Sequence, residues 1–450
     1  MSNEEKLTPA FLEYLEECLL QDRMGEVAQV VEDMHPADIA EVIDRLDVTL
    51  ARKLLDAMPN ALSADVIVEL DDEVRYDLFE EYSATEIAEK VIGELDSDDA
   101  ADLISELPED RIQEVLGKIT DDTQAQEIAE LLTHEEDTAG SLMAKELVKV
   151  NQNWKLMRCV REMRRQAEDI EHVHTVYVVD DENVLLGTLS LKKLLTTSTR
   201  TAVSEVFEPS VVSVRTDTDA EEVARIMRKY DLVVIPVVNE DNQLMGRITI
   251  DDVVDVITEE AGRDYQMASG LTQDVEATDD VVMLTKARLP WVLIGMIGGV
   301  LSSRVIDFFD ITQFPEMALF IPLIAATGGN VGVQSAALVV QSLASEGGFK
   351  DSLMSKLVKD FGVGLLTGVI CATVIFLVSF ALGSGYNLAI TVSIALLSVI
   401  VFAALFGTFI PLMLHKVNVD PAVAVGPFIT TTNDIIGLFI YFGVGRVIMM

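Results

Sequence analysis

Asp434 is the residue in this sequence whose setting points most directly to chemistry. It lies in GPFITTTNDIIGLFIYFGVG (residues 426–445), within an apolar run from Pro421 to Met449 whose other charge is Arg446. The run is long enough to cross a bilayer at about 1.5 Å per residue. Because a carboxylate near the middle of a membrane helix costs about 2.5–3.5 kcal/mol on insertion scales, Asp434 should face protein interior or water.

Polar side chains beside Asp434 shape its interpretation. Thr431 and Asn433 add a hydroxyl and an amide to the same sector. We interpret Asp434 as a cation-binding residue on a transport path that Thr431 and Asn433 help to line. The alternative is a protonated Asp434 that hydrogen-bonds to a neighbouring helix and has no part in transport.

A second polar segment interrupts another apolar span. ATGGNVGVQSAAL (residues 326–338) places glycines, which allow close backbone approach, beside Asn330 and Gln334. We expect Asn330 and Gln334 to line the same path as Asp434, so that the two spans face each other. Simple small-residue packing between helices is the alternative.

Hydropathy and loop charge predict the membrane topology. The sequence has five apolar spans, at about residues 290–309, 317–343, 361–384, 386–414 and 421–448. The 344–360 loop carries lysines, Lys350 among them, whereas the 306–316 loop carries only acids. The positive-inside rule therefore predicts a multi-pass protein of the cell (inner) membrane with a cytoplasmic N-terminal half and Met450 outside.

Charge is distributed unevenly along the 450 residues. Nearly all of the formal net charge of −42 belongs to the first 289 residues. A surface this acidic disfavours nucleic acid and anionic lipid as partners and favours cations. Plain acidic solubility is the alternative. The three cysteines are scattered, which is typical of reduced thiols in a cytoplasmic protein.

The first 138 residues show helical periodicity with weakly repeated segments such as HPADIAEVIDRLD and SATEIAEKVIGELD. Short helices that cannot bury their apolar faces alone stack into a superhelix. Asp98 and Asp102 are four residues apart on one helix face, where like charges repel. A divalent cation would relieve that repulsion, and so would water on an ordinary solvated face.

Residues 148–257 contain a duplication. YVVDDENVLLGTLSLKKLL (177–195) and PVVNEDNQLMGRITIDDVV (236–254) align at an offset of 59 and predict a strand, a helix, two strands and a helix, twice over. This pattern resembles a tandem cystathionine-β-synthase (CBS) domain pair. That resemblance implies an adenine-nucleotide site in which Thr249 and Asp252 hold the ribose of ATP. The first repeat departs from the motif, because Lys193 follows Ser190 there.

The predicted fold class is a multidomain membrane protein: an all-α superhelical N domain, an α/β tandem CBS pair, a connecting helix and a five-helix α transmembrane domain. We place these parts at residues 1–138, 139–257, 258–289 and 290–450. The connecting segment is acidic at its start and basic at Lys286 and Arg288, which is typical of a helix that reaches the cytoplasmic interface.

This order of parts resembles the MgtE family of magnesium channels along essentially the whole chain, most specifically in TGGNVGVQSA, VDPAVAVGP and TTNDIIGLFIY. The resemblance implies a homodimer whose pore is lined by the second and fifth spans. It also implies that Asp434 binds hydrated Mg²⁺ and that Asp420 lies at the cytoplasmic mouth. Where the family often has Asn before the fifth-span proline, this chain has Gly426, so a pore ligand is missing.

The same resemblance implies regulatory Mg²⁺ between the N domain, the CBS pair and the connecting helix. The implied ligands are Asp98, Asp102, Asp219, Glu221, Asp231, Asp252, Asp255 and Glu260, with Gly140 as a backbone ligand.

The predicted function is a Mg²⁺-selective channel that is gated by cytoplasmic Mg²⁺. Mg²⁺ prefers carboxylate, carbonyl and water oxygens, and the predicted pore offers oxygen ligands with neither Cys nor His. The alternatives are a path for broader divalent cations such as Co²⁺ and Mn²⁺, an ion-coupled carrier, and a nucleotide-sensing membrane anchor without conduction. No nucleophile–base constellation or phosphate loop indicates an enzyme.

Overall fold

The structure of the chain is a computed structural model. It describes residues 8–32, 34–168, 170, 172–273, 275, 279–313, 315–346, 353–417 and 419–449, so Lys350 and Met450 of the predicted topology lie outside the described residues. The chain forms two compact units, Met1–Ile257 and Thr258–Met450.

The N-terminal part of the first unit is built from short helices joined by tight turns. They are α1 (Pro9–Leu20), α2 (Met24–Val31), α3 (Pro36–Ile43), α4 (Val48–Asp56), α5 (Asn60–Val68), α6 (Asp72–Glu81), α7 (Ala84–Glu86), α8 (Ser97–Ser105), α9 (Glu109–Leu116) and α10 (Asp122–Leu131). Side-chain caps begin several of them. Asp47 accepts the backbone N–H groups of Thr49 and Leu50, and Ser83 forms a reciprocal capping box with Glu86.

Arg75 of α6 ties distant turns of this helical part together. Its side chain is 9% exposed and donates to both carboxylate oxygens of Glu106, at 2.8 and 2.7 Å, and to the carbonyls of Val68 and Leu70. Burial is the main cause that raises the pKa of Glu106. A bidentate arginine can be buried here because the carboxylate and helix-end carbonyls satisfy its donors.

The second part of the unit confirms the predicted duplication. The first repeat comprises β1 (Val148–Asn151), α11 (Leu156–Gln166), β2 (Val176–Val179), β3 (Leu185–Leu189) and α12 (Leu191–Thr196). The second comprises β4 (Val214–Arg215), α13 (Ala220–Tyr230), β5 (Val234–Val238), β6 (Leu244–Thr249) and α14 (Ile250–Ser269). In each three-stranded sheet the first strand pairs parallel with the second, and the second pairs antiparallel with the third.

The two repeats meet through equivalent turns. Asn183 and Asn242, which are 59 residues apart, both adopt a left-handed conformation (φ 64° and 58°) that asparagine tolerates. Leu185 N–H donates to the Asn242 carbonyl, and Leu244 N–H donates to the Asn183 carbonyl. These reciprocal bonds give the pair an internal near-twofold arrangement.

The hydrophobic core of the first unit is divided unequally between the two repeats. The core of the N-terminal helices continues through Ala139 and Met143 into the second repeat, where it includes Val223 and Ile235. The first repeat has a separate core around Leu156, Cys159 and Val176. The N-terminal helices are therefore packed onto the second repeat.

The second unit confirms the prediction of five apolar helices. Helix α14 extends into it. Among the residues that the structure describes, five further helices are long and apolar enough to cross a membrane: α15 (Val281–Phe308), α16 (Ile321–Glu346), α17 (Leu353–Ala381), α18 (Tyr386–Lys416) and α19 (Pro427–Met449). The first predicted span began at Pro290, but α15 begins nine residues earlier. Pro290 lies inside α15 although an interior proline removes one helix hydrogen bond and its ring crowds the carbonyl four residues earlier. Asp280 caps the start of α15 by accepting from the backbone N–H groups of Val282 and Met283.

Helix α18 is the most buried of the five spans, and glycines let its neighbours approach it closely. A β-carbon added to Gly364 of α17 would lie 2.9 Å from the Ala404 side chain. One added to Gly407 of α18 would overlap the carbonyl of Gly332 in α16. Small residues at helix contacts are typical of membrane bundles, where van der Waals packing replaces the hydrophobic effect.

Candidate cation-binding sites

Helices α16 and α19 bring the two predicted polar membrane segments together. Asn433 is 2% exposed, and its amide Nδ2 donates to the Gly328 carbonyl at 3.3 Å. A β-carbon added to Gly329 would lie 4.0 Å from Asp434 Oδ1 and 3.6 Å from the Thr430 methyl. The glycine pair of α16 therefore leaves room for the side chains of α19, and Asp434 is half-buried against it.

The other predicted pore residues take different places. Asn330 and Gln334 are exposed on α16, four residues apart and therefore on one face of the helix. Thr431 packs against Gly298 of α15, whose missing side chain makes room for it. Asp420 is exposed, and it caps a short turn by accepting from the Ala422 N–H at 2.8 Å. That Thr431, Asn433, Asn330 and Gln334 line a pore stays a prediction.

A carboxylate cluster forms where the N-terminal helices meet the second repeat. Asp96, Asp98 and Glu146 each offer an oxygen within 4.8 Å of the others. Glu146 accepts hydrogen bonds from the Ser97 N–H and hydroxyl, at 3.2 and 2.8 Å. Arg247 supplies one positive charge, through a 3.5 Å contact with Asp96.

The pKa values of the carboxyl groups in and beside this cluster are raised. Burial is the largest cause that raises the pKa of Asp98 well above its usual range, and the charges of Asp99 and Asp252 add to it. Burial followed by the charge of Asp252 raises the pKa of Asp99 to about 7. Burial also raises the pKa of Asp252, although Thr249 partly opposes it by hydrogen bonding to the carboxylate.

These residues fit a divalent metal ion. The donors are carboxylate oxygens, which Mg²⁺ prefers, and a single arginine does not balance their charges. Two such carboxylates about 5 Å apart repel by ~3 kcal/mol at an effective dielectric of 20. Asp98 and Asp252 of the predicted ligand set are brought together here.

The sequence pattern missed Asp96, Glu146 and Arg247. Asp96 lies in the same acidic run as Asp98, so the sequence could have predicted it as a ligand from its type and position. Glu146 is a lone acid between two domains, and only the packing of residues 139–147 against α8 places it in the cluster. Asp102 lies one turn beyond Asp98 and is exposed.

A second group of predicted ligands surrounds α13. Gly140 N–H donates to the Thr216 carbonyl at 2.9 Å, and Thr138 pairs with Asp219, so these two segments are neighbours. Asp219 caps α13 and accepts from the Glu221 N–H at 3.0 Å. Asp231 ends the same helix in a left-handed conformation. Because eleven helical residues span ~16 Å, Asp231 and Asp219 of one chain do not share an ion.

The remaining predicted ligands lie on α14. Thr249 hydroxyl donates to Asp252 Oδ2 at 2.7 Å, so the two residues of the nucleotide motif bind each other. Burial and then the charge of Asp251 raise the pKa of Asp255. Glu260, in the second unit, accepts from Arg263 Nη1 at 2.9 Å.

Comparison with known proteins identifies the family. The chain matches three family models: a divalent cation transporter domain over residues 321–444, the MgtE intracellular N domain over 34–137, and CBS domains over 139–199 and 203–259. It is 33% identical over 457 residues to the magnesium transporter MgtE of Thermus thermophilus, covering 99% of both chains. The chain belongs to the MgtE family of magnesium transporters.

Other MgtE proteins and their structures agree with this assignment. MgtE of Bacillus subtilis is 29% identical over 95% of both chains. The soluble part of a magnesium transporter matches 58% of this chain at 29% identity, with a TM-score of 0.52. The cytosolic domain of the Mg²⁺ channel MgtE in complex with ATP matches 54% of it at 36% identity, with a TM-score of 0.51. The fold predicted for the N-terminal half is thereby confirmed.

Proposed function

We propose that this MgtE-family chain conducts Mg²⁺ into the cell through a path beside Asp434 and that cytoplasmic Mg²⁺ closes the path. The observation that carries the proposal is the half-buried Asp434 carboxylate opposite the glycine pair of α16. A protein that only anchored the cytoplasmic domains would not need a carboxylate in the middle of the membrane. It would also not need that carboxylate to face glycines of α16, which leave space beside it.

The chemistry of Asp434 suits a permeant cation that keeps most of its water. Mg²⁺ dehydrates reluctantly, so one carboxylate from each of two chains can balance its charge while water completes the coordination. Conduction also requires that the ion leaves, and a carboxylate binding through water holds it weakly enough. The exposed amides of Asn330 and Gln334 add neutral oxygen ligands on the same helix as the glycine pair.

We propose a homodimer because it would supply the two carboxylates of this charge balance, and an exposed apolar stripe in the second repeat supports it. Ile250, Val254 and Ile257 of α14 are 37%, 51% and 42% exposed and lie on one helix face. An apolar stripe of this kind favours burial against another chain. In the proposed topology the N-terminal domains are cytoplasmic and the C-terminus is outside.

The proposed regulation uses the carboxylate cluster of the first unit. Asp96, Asp98 and Glu146 would hold a regulatory Mg²⁺ with Asp252 beside them, and the ion would add positive charge to that of Arg247. Without it, repulsion among these carboxylates favours separation of the N-terminal helices from the second repeat. Helix α14 starts beside Asp252 and continues into the second unit, so it offers a covalent route from the cluster to the spans.

The end of α14 has a close contact that suits a closed state. A β-carbon added to Gly426 would overlap the Ala268 carbonyl, and one added to Gly270 would lie 2.7 Å from the Pro427 ring. Gly426 therefore lets the connecting helix dock directly on the start of α19. We expect Gly426→Asn to weaken this docking and to raise Mg²⁺ flux at high internal Mg²⁺.

Adenine-nucleotide binding is a second proposal, and it is supported by the ATP complex of the similar cytosolic domain. Thr249 and Asp252 remain the proposed ribose-binding residues. Thr249→Val should weaken binding of a fluorescent ATP analogue to the purified protein, whereas Ser190→Ala at the matching position of the first repeat should not.

The test of the main proposal is Mg²⁺ uptake into proteoliposomes by wild type, Asp434→Ala and Asp307→Asn. Asp307 lies at the exposed end of α15 and is the control for a lost carboxylate. We expect Asp434→Ala to abolish uptake and Asp307→Asn to leave it within about twofold of wild type. Equal uptake by all three would reject the path beside Asp434.

The same vesicles separate the alternatives. Uptake that depends on a Na⁺ or H⁺ gradient would indicate a coupled carrier. Equal uptake of Co²⁺, Mn²⁺ and Mg²⁺ would indicate a broad divalent path. No uptake by wild type, together with ATP binding, would favour a nucleotide-sensing anchor.

A further inference from the structure

Asp360 is a carboxylate in the second turn of span α17, on a different helix from Asp434. It is on α17, where Asp360, Gly364 and Gly368, at four-residue spacing, each contact α18. Many other side chains of α17 are exposed apolar residues that suit lipid. A carboxylate on the helix-packing face is costly in a membrane unless it has a partner.

The partner of Asp360 is Thr408 of α18. Thr408 is fully buried, and its hydroxyl donates to the Asp360 carboxylate. The neighbouring contacts of Gly364 with Ala404 and of Gly368 with Leu397 are van der Waals contacts. Such contacts bring two helices close but have little directionality along the helix axes. The hydrogen bond from Thr408 to Asp360 adds a directional contact between the two helices.

Thr408 directly follows Gly407, which is the residue of α18 that packs against Gly332 of α16. A β-carbon on Gly407 would overlap the Gly332 carbonyl, and one on Gly332 would overlap the Asn433 amide. Asn433 directly precedes Asp434. A continuous series of contacts thus runs from Asp360 through α18 and α16 to the residue beside Asp434.

We propose that Asp360 is a positioning residue for transport: its hydrogen bond with Thr408 fixes the axial register of α18, and Gly407 thereby sets the distance of α16 from Asp434. This inference rests on the proposed function, because it assumes that the path passes Asp434. A shift of α18 would move Gly332 and Asn433 and so change how the path fits a hydrated cation.

The test uses conservative and disruptive variants at both positions. Thr408→Ser and Asp360→Asn keep a hydroxyl donor and an oxygen acceptor, whereas Thr408→Val and Asp360→Leu remove them. Thr373→Val is the control, because Thr373 is an exposed threonine of α17 whose hydroxyl donates to its own helix at Val369. Each variant is measured as the full chain in proteoliposomes, with low internal Mg²⁺.

The readouts are the KM for Mg²⁺ uptake and the ratio of Mg²⁺ to Co²⁺ uptake, neither of which depends on the number of folded molecules. We expect Thr408→Val and Asp360→Leu to change one of these by about fivefold, the factor of one ordinary hydrogen bond. Thr408→Ser, Asp360→Asn and Thr373→Val should stay within about twofold of wild type. A KM and ratio that are unchanged in Thr408→Val and Asp360→Leu would overturn the inference.

A second measurement does not depend on transport. Spin labels at the exposed Leu366 of α17 and Phe409 of α18, in a background without the three native cysteines, report the helix register. The distance distribution should shift or broaden in Thr408→Val and remain as in wild type in Thr373→Val. An unchanged distribution in Thr408→Val would reject the register role, even if Asp434 proved irrelevant to uptake.

Discussion

The two CBS repeats have the same fold but different chemistry. In the first, Ser190 accepts the Lys193 N–H, and Lys193 Nζ forms an ion pair with Glu208 at 2.9 Å. At the matching positions of the second, Thr249 bonds Asp252, and Asp252 faces Asp98 and Asp99 of the N-terminal helices. The first repeat has Lys193, whose charge is paired within the repeat, where the second has Asp252, whose charge repels the carboxylates of the N-terminal helices.

The hydrophobic cores of the two repeats also differ. The second repeat shares its apolar core with the N-terminal helices, whereas the first keeps a core of its own. The second repeat is thus held to the helices by apolar burial and pushed from them by like charges. A balance of this kind can be shifted by a cation, because a ligand shifts an equilibrium by its differential affinity for the two states.

The largest expected effect comes from removing the charges at this junction. Asp98→Asn combined with Asp252→Asn should raise the internal Mg²⁺ needed to inhibit uptake by at least about tenfold, since a factor of ten requires only ~1.4 kcal/mol. The measurement is uptake into proteoliposomes as internal Mg²⁺ is varied. Lys193→Asn, at the matching position of the first repeat, is the control and should leave inhibition unchanged. Unchanged inhibition in the double variant would place the sensor elsewhere.

A smaller effect is expected from a matched pair of glycines. A β-carbon on Gly187 would overlap the Glu208 carbonyl, and one on the equivalent Gly246 would lie 2.7 Å from the Ala144 carbonyl. Gly187→Ala and Gly246→Ala should each lower the free energy of unfolding by roughly 1–3 kcal/mol, the usual cost of overpacking.

Only Gly246 contacts the segment that joins the N-terminal helices to the repeats. Gly246→Ala should therefore speed proteolysis of residues 139–147 in the presence of Mg²⁺, and Gly187→Ala should not. Equal protection of this segment in both variants would contradict the unequal roles of the repeats.

The smallest expected effect concerns pH. The pKa of Asp99 is raised to about 7, so the folded state binds a proton that the unfolded chain releases near pH 4. In chelator, this group's contribution to stability is present below about pH 4 and is lost as pH rises toward 7.

Asp99→Asn should therefore flatten the fall of thermal stability between about pH 4 and 7 and stabilise the protein by ~1 kcal/mol at pH 8. The measurement is thermal unfolding of the purified chain across this range, with the exposed Asp77→Asn as control. An identical pH dependence of thermal stability in Asp99→Asn and wild type would show that burial and the neighbouring charges do not raise the pKa of Asp99.

The sequence determined the parts of this protein. Five apolar spans, the repeat at an offset of 59 and the acidic N-terminal helices are patterns of side-chain type and period, and the periods of helices and strands are fixed by backbone geometry. Asp434 could be singled out because a charge in an apolar run is visible without a fold. The domain boundaries and the site assignments stay predictions.

Only the tertiary structure decided which residues meet. Glu146 and Arg247 join Asp98 because residues 139–147 pack between the N-terminal helices and the second repeat. Asp360 meets Thr408, and Gly426 meets Ala268, across distances in sequence that no periodic pattern encodes. The physical reason is that a local pattern fixes which face of an element is apolar, whereas the choice of partner depends on how several such faces are buried together.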